Sequence, residues 1–223
     1  MKIVAIVQAR LGSKRLPGKT LKVFHGMPII DWVVSRLKAC FLIDEICIAI
    51  PDLDRDDRLS DHLKNNNVKV FRGSETDVLA RVCNAAHFCN ADIMLRICAD
   101  NPLVCPDELE RLIVFYQKNA FDYAYNHIPL NNTYPDGFGG EICSIKIIDE
   151  LNKKASIPDH REHLFNFLWS NQDIYSIGTF DAPFGLSFPK FRFDVDTIDD
   201  FNYLNSVPLT PTMKAIEIVK YFN

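Results

Sequence analysis

A chain of 223 residues that is 48% hydrophobic and 24% charged has the size and composition of one globular domain with a real core, which excludes the disordered and fibrous classes. Its formal net charge of −4 excludes a broad electrostatic grip on nucleic acid or on an anionic membrane, so any anion-binding site must be local. Between Met1 and Lys38, however, Lys2, Arg10, Lys14, Arg15, Lys19, Lys22, Arg36 and Lys38 face only Asp31; a basic end on an acidic protein suggests an anionic ligand.

Lys2 to Ala9 is a short, β-branched, nearly all-apolar run, the pattern of a strand buried on both faces of a parallel sheet. Arg10 to Leu21 then breaks into Gly, Ser, Pro and basic residues, and Pro28 opens an amphipathic helix with Ile29, Ile30, Val33, Val34 and Leu37 on its apolar face. The alternation continues with strands at 45–50, 68–71 and 91–97 and helices at 54–65, 75–89 and 106–118. Strand and helix alternating at these lengths predict βαβ crossovers, hence an α/β fold built on a mainly parallel, doubly wound sheet. Beyond Asp122 the order is less regular. Strands are expected at 122–125, 140–143, 174–178 and 191–193, helices near 198–205 and 211–221, and an exposed loop or hairpin over 127–140. The chain reads as a single domain, 1–223, with 122–190 as a smaller acceptor-side or dimerisation excursion.

Seven cysteines, odd in number and without Cys-x-x-Cys spacing, read as buried reduced thiols rather than as a zinc site. No run approaches eighteen apolar residues and the first residues do not read as a secretion signal, so a cytoplasmic protein is expected.

The most informative segment is Gln8-Ala-Arg-Leu-Gly-Ser-Lys-Arg-Leu-Pro-Gly-Lys19. A polar loop directly after the first strand of a parallel sheet lies at the carboxyl ends of the strands, where such sheets bind ligands. Gly12 and Gly18 let backbone N–H groups approach an anion, and Arg10, Ser13, Lys14, Arg15 and Lys19 add charge and donors. Together they suit a triphosphate, although the spacing matches neither a Walker loop nor a Gly-x-Gly-x-x-Gly fingerprint.

This opening resembles that of the CMP-sugar synthetase family, which includes the CMP-KDO and CMP-acylneuraminate synthetases. Within it the sequence is most similar to the spore coat polysaccharide biosynthesis protein F group, whose pattern recurs as Arg72-Gly-Ser-x-x-Asp-Val-Leu-Ala-Arg81. The likeness extends through Arg96-Ile-Cys-Ala-Asp-Asn-Pro-Leu103, where the family usually has Gly-Asp-x-Pro, and Asp194-Val-Asp-Thr-x-x-Asp200. It implies the nucleotide-diphospho-sugar transferase type of sheet and a CTP-dependent cytidylyltransferase. Gln8, Ala9, Arg10, Gly12, Ser13, Lys19, Arg72, Gly73, Asp77, Arg81 and Asp100 are then the expected nucleotide contacts, with Arg10, Arg15, Lys19 and Asp100 carrying the chemistry. Without the resemblance, the second motif reads as a turn into a helix, with Ser74 as cap and Asp77 paired to Arg81.

Asp100 follows the apolar strand directly, again at a carboxyl end, and Asp194 and Asp196 point to one side of an extended segment while Val195 points back to the core. Magnesium takes oxygen ligands and keeps phosphate oxygens and waters among them, so Asp100, Asp194 and Asp196 are the expected Mg2+ set. The competing reading makes one of the late pair a cap for the helix from Thr197.

In the second half, Pro135-Asp-Gly-Phe-Gly-Gly-Glu141 and Asp159-His-Arg-Glu-His163 resemble features of the spore coat group, making Asp136, Glu141, His160, Arg161 and His163 acceptor-side candidates. That group usually has Asp where Gly139 stands. Neither a His-Glu-x-x-His zinc site nor a Ser, His and Asp constellation is present. The expected partners are CTP and a small acceptor bearing a sugar hydroxyl, phosphate or phosphonate, in a homodimer as in related synthetases, feeding glycan or surface-polymer synthesis. A glycosyltransferase holding a nucleotide sugar through Asp194-x-Asp196, or a non-catalytic nucleotide sensor, is the alternative.

Overall fold

The structure is a computed structural model describing residues 1–223. Nine strands form in chain order: β1 (Ile3–Gln8), β2 (Val23–Phe24), β3 (Met27–Pro28), β4 (Glu45–Pro51), β5 (Lys69–Gly73), β6 (Ile93–Cys98), β7 (Tyr123–Tyr125), β8 (Glu141–Ser144) and β9 (Ile177–Gly178). The helices are α1 (Ile29–Lys38), α2 (Asp57–Asn65), α3 (Val78–Phe88), α4 (Pro106–Lys118), α5 (Ile145–Lys154), α6 (Pro158–Glu162), α7 (Asn166–Trp169), α8 (Ile198–Asn205) and α9 (Ala215–Val219). Seven strands make one sheet in the order β5-β4-β1-β6-β8-β7-β9, and β2 and β3 pair as a separate small hairpin.

β1 is central, parallel to β4 on one side and to β6 on the other. Its residues are buried by strict alternation. Ala5 and Val7 pack with Ile48, Ile50, Leu95 and Ile97 against Ile30, Val33 and Leu37 of α1, Leu63 of α2 and Leu112 of α4. Val4 and Ile6 pack with Ala49 and Met94 against Val82 and Ala86 of α3 and Ile148 and Leu151 of α5. A strand covered on both faces needs apolar residues at both parities, which is why its sequence is nearly uninterrupted.

β8 enters antiparallel to β6, and β7 antiparallel to β8. Three of the seven strands thus come from 122–190, within the same sheet. A third apolar cluster joins the β2–β3 hairpin, Trp32, Tyr134, Phe138, Phe193 and the two C-terminal helices. Buried Arg36 stitches that end to the sheet by donating to the carbonyls of Val104 (2.5 Å), Pro211 (2.9 Å) and Met213 (2.9 Å).

Several expectations are corrected. The stretch 127–140 is not simply an exposed loop, because Tyr134, Phe138 and the backbone of Gly139 and Gly140 are buried. No strand forms at 191–193; Arg192 makes one isolated bridge to Asp136. α5 was not anticipated at all. Ser144 caps it, accepting from the Ile147 amide at 3.3 Å, and Ile147, Ile148 and Leu151 face the core, each contributing roughly 1.5–3 kcal/mol of burial. Its start abuts β8 with no Gly or Pro between them, so the isoleucines read as more strand.

Candidate active site

The strand order reverses between β1, whose next neighbour is β4, and β6 on its other side. A crevice opens at the carboxyl ends of strands at such a point, and here it is a cleft of about 820 Å3 lined by Gln8, Ala9, Arg10, Gly12, Ser13, Lys14, Arg15, Lys19, Thr20, Arg55, Glu75, Thr76, Arg96, Cys98, Ala99, Asp100, Glu162 and Asp196. Six cations therefore face four carboxylates in it, on a protein whose net charge is −4. The rest of the basic N-terminal end lies elsewhere: Arg36 is a buried strut, and Lys2 pairs with Glu45 at 2.6 Å.

The basic loop is tied at its base. Thr20 Oγ1 donates to the Arg10 carbonyl at 2.9 Å, the Gly18 amide to the Leu11 carbonyl at 3.1 Å, and the Leu11 amide to Oδ1 of fully buried Asp56 at 2.7 Å. Gly18 adopts φ +68°, a left-handed turn costly to any residue with a Cβ. At Gly12 a Cβ would stand 2.8 Å from the Arg55 guanidinium; its absence lets Arg55 lie across the loop and pair with Glu75 from the opposite wall.

Lys19 is the centre of the charge arrangement. Its Nζ lies 2.6 Å from Asp100 Oδ2, 3.0 Å from Asp196 Oδ1 and 2.9 Å from the Val195 carbonyl, and Arg15 reaches Asp196 Oδ2 at 2.7 Å. Burial alone would lower the lysine pKa, but the two carboxylates outweigh it and hold the pKa above its ordinary value. Asp196 is brought there because the Val195 amide donates to the Asp100 carbonyl at 2.8 Å, laying the C-terminal segment beside the end of β6. Neither late aspartate caps α8: Thr197 does, in a reciprocal box with Asp200.

The Asp-x-Asp pair is divided. Asp196 faces the cleft, whereas Asp194 receives both Nε (3.1 Å) and Nη2 (2.7 Å) of Arg192. Asp136 completes an acidic group around them. Burial first, then Asp194, with further repulsion from Asp100 and Asp196 that Arg192 only partly offsets, pushes its carboxyl up to about 6.

The remaining candidates stand behind the walls and do not line the cleft themselves. Arg72 pairs with Asp57 (2.5 Å) and Asp52 (3.0 Å) and does not line the cleft. Asp77, rather than Ser74, caps α3, accepting from the Ala80 amide at 2.9 Å, and its salt-bridge partner is Arg161 (2.6 Å), not Arg81. Arg81 is buried and donates to the carbonyls of Ser74 and Glu75, while Gly73 leaves room for its stem. The motif thus shapes the turn that presents Glu75 and Thr76. Arg161 is held by Asp77 and by Asn152 (2.8 Å), His160 packs edge-on against Phe167, and His163 lies exposed, 3.9 Å from Asp159. Among that cluster it is Glu162 that lines the cleft.

Glu141 lies beneath the floor. It is 4% exposed, pairs with Arg96, accepts from the Tyr123 hydroxyl at 2.6 Å and sits 3.8 Å from His127. Burial would raise its pKa, but His127, Arg96 and Tyr123 together hold it below the usual range. Arg96 also reaches Gln8 Oε1 at 3.2 Å, so Gln8 and Glu141 orient the one cation in the floor. Arg55, Glu75 and Thr76 stand outside the candidates read from the sequence, and Arg96 and Glu162, though inside quoted motifs, carry no expected site role there. Only Arg96 carried a signal, being a charge within an otherwise apolar strand.

An uncharacterized protein of Methanocaldococcus jannaschii is 33% identical over 202 residues, covering 90% of this chain and 81% of that protein. The spore coat polysaccharide biosynthesis protein SpsF of Bacillus subtilis is 28% identical, covering 99% and 94%. The solved structure of a cytidylyltransferase from Leptospira borgpetersenii superposes with a TM-score of 0.90 at 27% identity, covering 100% and 94%. No helix is long and apolar enough to cross a membrane. With residues 4–134 matched by the family model described as Cytidylyltransferase, the chain belongs to the cytidylyltransferase family.

Proposed function

We propose that this cytidylyltransferase binds CTP in the cleft between β1 and β6 and transfers its cytidylyl group to a small acceptor in polysaccharide biosynthesis, releasing pyrophosphate. The observation that carries this reading is the convergence of the basic loop, Lys19, Asp100 and Asp196 at the carboxyl ends of the two central strands.

The triphosphate lies against the loop from Arg10 to Lys19, whose cations and backbone N–H groups neutralise and orient it. An acceptor oxygen forms a bond to the α-phosphorus as the bond to the bridging oxygen breaks, and the electron pair leaves with pyrophosphate toward Lys14 and Arg15. No covalent enzyme intermediate is needed, because positioning and charge neutralisation supply the acceleration. Glu75 and Thr76, presented by the turn that Arg81 braces, form the wall on one side, and Glu162, with the segment 122–190 behind it, is assigned to the acceptor side.

Asp100 and Asp196 already share one cation, the Lys19 ammonium, and the repulsion felt by Asp136 marks uncompensated negative charge beside them. Those two carboxylates, with Asp194 adjacent, fit a divalent cation, with Mg2+ as the proposed ion; when bound it supplies charge neutralisation to phosphate oxygens. The reading extends to a homodimer, as in the synthetases the sequence resembles. A cytoplasmic setting is supported by seven free cysteines, six of them buried.

The test is pyrophosphate release from each of the four nucleoside triphosphates with Mg2+ and a panel of ketoacid sugars, sugar phosphates and phosphonates. Release from CTP with one acceptor, abolished by Asp196→Asn, is the expected result. Binding of a nucleotide sugar without binding of CTP would overturn it.

A further inference from the structure

On the face of the sheet away from α1, α3 and α5 pack side by side. Cys83 and His87 are four residues apart in α3, so they stack on one side of it, and Asp149 of α5 stands opposite. The Cys83 thiol lies 3.3 Å from Asp149 Oδ1 and His87 Nε2 lies 2.6 Å from the same oxygen. The three ligand atoms lie within 4.8 Å of one another.

The order of contacts decides what the cluster can do. A nucleophilic cysteine needs its base on the sulfur, but here the carboxylate stands between thiol and imidazole, with both groups addressing one oxygen. Two donors converging on one acceptor are what a single divalent cation replaces. A sulfur, a nitrogen and a carboxylate oxygen at such spacing suit a tetrahedral zinc-class ion, with bonds of roughly 2.0–2.3 Å. Cys83 is 2% exposed, whereas the His87 side chain is 53% exposed, so the ion would be reached from solvent and keep a position for water. A cysteine and histidine one turn apart, completed by an aspartate distant in sequence, escape any search for Cys-x-x-Cys.

We propose that Cys83, His87 and Asp149 form a zinc-class cation site that clamps α3 to α5, separate from the Asp100 and Asp196 pair. Its structural reach is toward the cleft wall. Asp77 caps α3 and holds Arg161, and the residue after Arg161, Glu162, lines the cleft.

The experiment is a Co2+ titration of the purified full chain by absorption, followed by Zn2+ displacement and thermal melts with Zn2+. One equivalent of cobalt with a thiolate charge-transfer band, lost on Zn2+ addition, together with a Zn2+-dependent rise in Tm, is expected. Loss of even an outer-shell partner weakens metal binding about 10–100-fold, so His87→Ala and Cys83→Ser should each weaken it by at least about tenfold. Asp196→Asn should retain the band. Absence of a thiolate band in the wild type, or a band that survives Cys83→Ser, would overturn the proposal. His87 is at the surface, so its variant reports on ligation without disturbing the core.

Discussion

Lys19 and Asp196 are 177 positions apart in the sequence and 3.0 Å apart in space. Between Asp196 and Asp100 the chain places Lys19, where two carboxylates would otherwise repel, which makes the basic loop and the C-terminal segment parts of one charge arrangement. Lys19→Ala should therefore do two separable things. Transfer activity should fall by at least about 100-fold, the scale for removing a preorganised charge from a transition state. The ligand-free protein should also melt at a lower temperature, and Mg2+ should restore part of that loss. Activity assays and melts with and without Mg2+ check both.

Asp136 provides a pH prediction. Its pKa is raised from 3.8 to about 6, so its ionised form opposes folding. The penalty is absent below the unfolded value, grows as pH rises between about 4 and 6, and is complete above that window. Asp136→Asn should accordingly melt higher than the wild type at pH 8 without divalent metal, with the difference vanishing near pH 4. A constant difference across that range would assign the effect to packing instead.

Glu141 is buried with Arg96, Tyr123 and His127. Removing one partner of a buried ion pair costs about 3–5 kcal/mol because the other charge is stranded, so Glu141→Gln should lose most of that in urea unfolding. Tyr123→Phe, which deletes one neutral donor to a charged acceptor, should cost about 1.5–3 kcal/mol. The double variant should fall short of the sum of the two, since both act on one network.

Gly139 stands where the resembling group usually has Asp. A Cβ there would lie 2.1 Å from Asn126 Oδ1 and 2.3 Å from the Asn126 carbonyl oxygen, and Asn126 is itself fixed by donating to the Glu108 carbonyl at 3.0 Å. Gly139→Ala should thus destabilise by about 1–3 kcal/mol or more, and Gly139→Asp should not recover any acceptor preference. Thermal melts of the two variants and the acceptor profile of any folded product check this.

The α/β alternation from β1 to α4 was legible because each strand there is buried on both faces and each helix carries one apolar stripe. The basic loop was legible because five donors follow a buried strand. What the sequence hid depends on partners distant in the chain. Arg55 enters the site only because Gly12 lacks a Cβ and Glu75 faces it. Arg161 had the composition of a ligand residue, yet Asp77 and Asn152 take its hydrogen bonds. Tyr134 and Phe138 lie among Pro, Asn and Gly residues that signal exposure, yet Tyr134 packs on Phe180 and Glu108 of α4 and Phe138 stacks on Phe193. The Asp-x-Asp pair read as a unit, but Arg192, two residues earlier, takes one member of it.

The contact between the Val195 amide and the Asp100 carbonyl also sets an order in time. During synthesis the basic loop emerges first and the segment carrying Asp196 follows 177 residues later, which at roughly 5–20 residues per second is a delay of about 9–35 s. Throughout it Lys19 and Arg15 lack their late carboxylate partner, so the nascent chain exposes an anion-attracting loop before it holds the acids that complete the site. On the proposed reading the site would be incomplete until residue 196 has been made, and a ribosome stalled before it would present the basic loop without its late carboxylate partner.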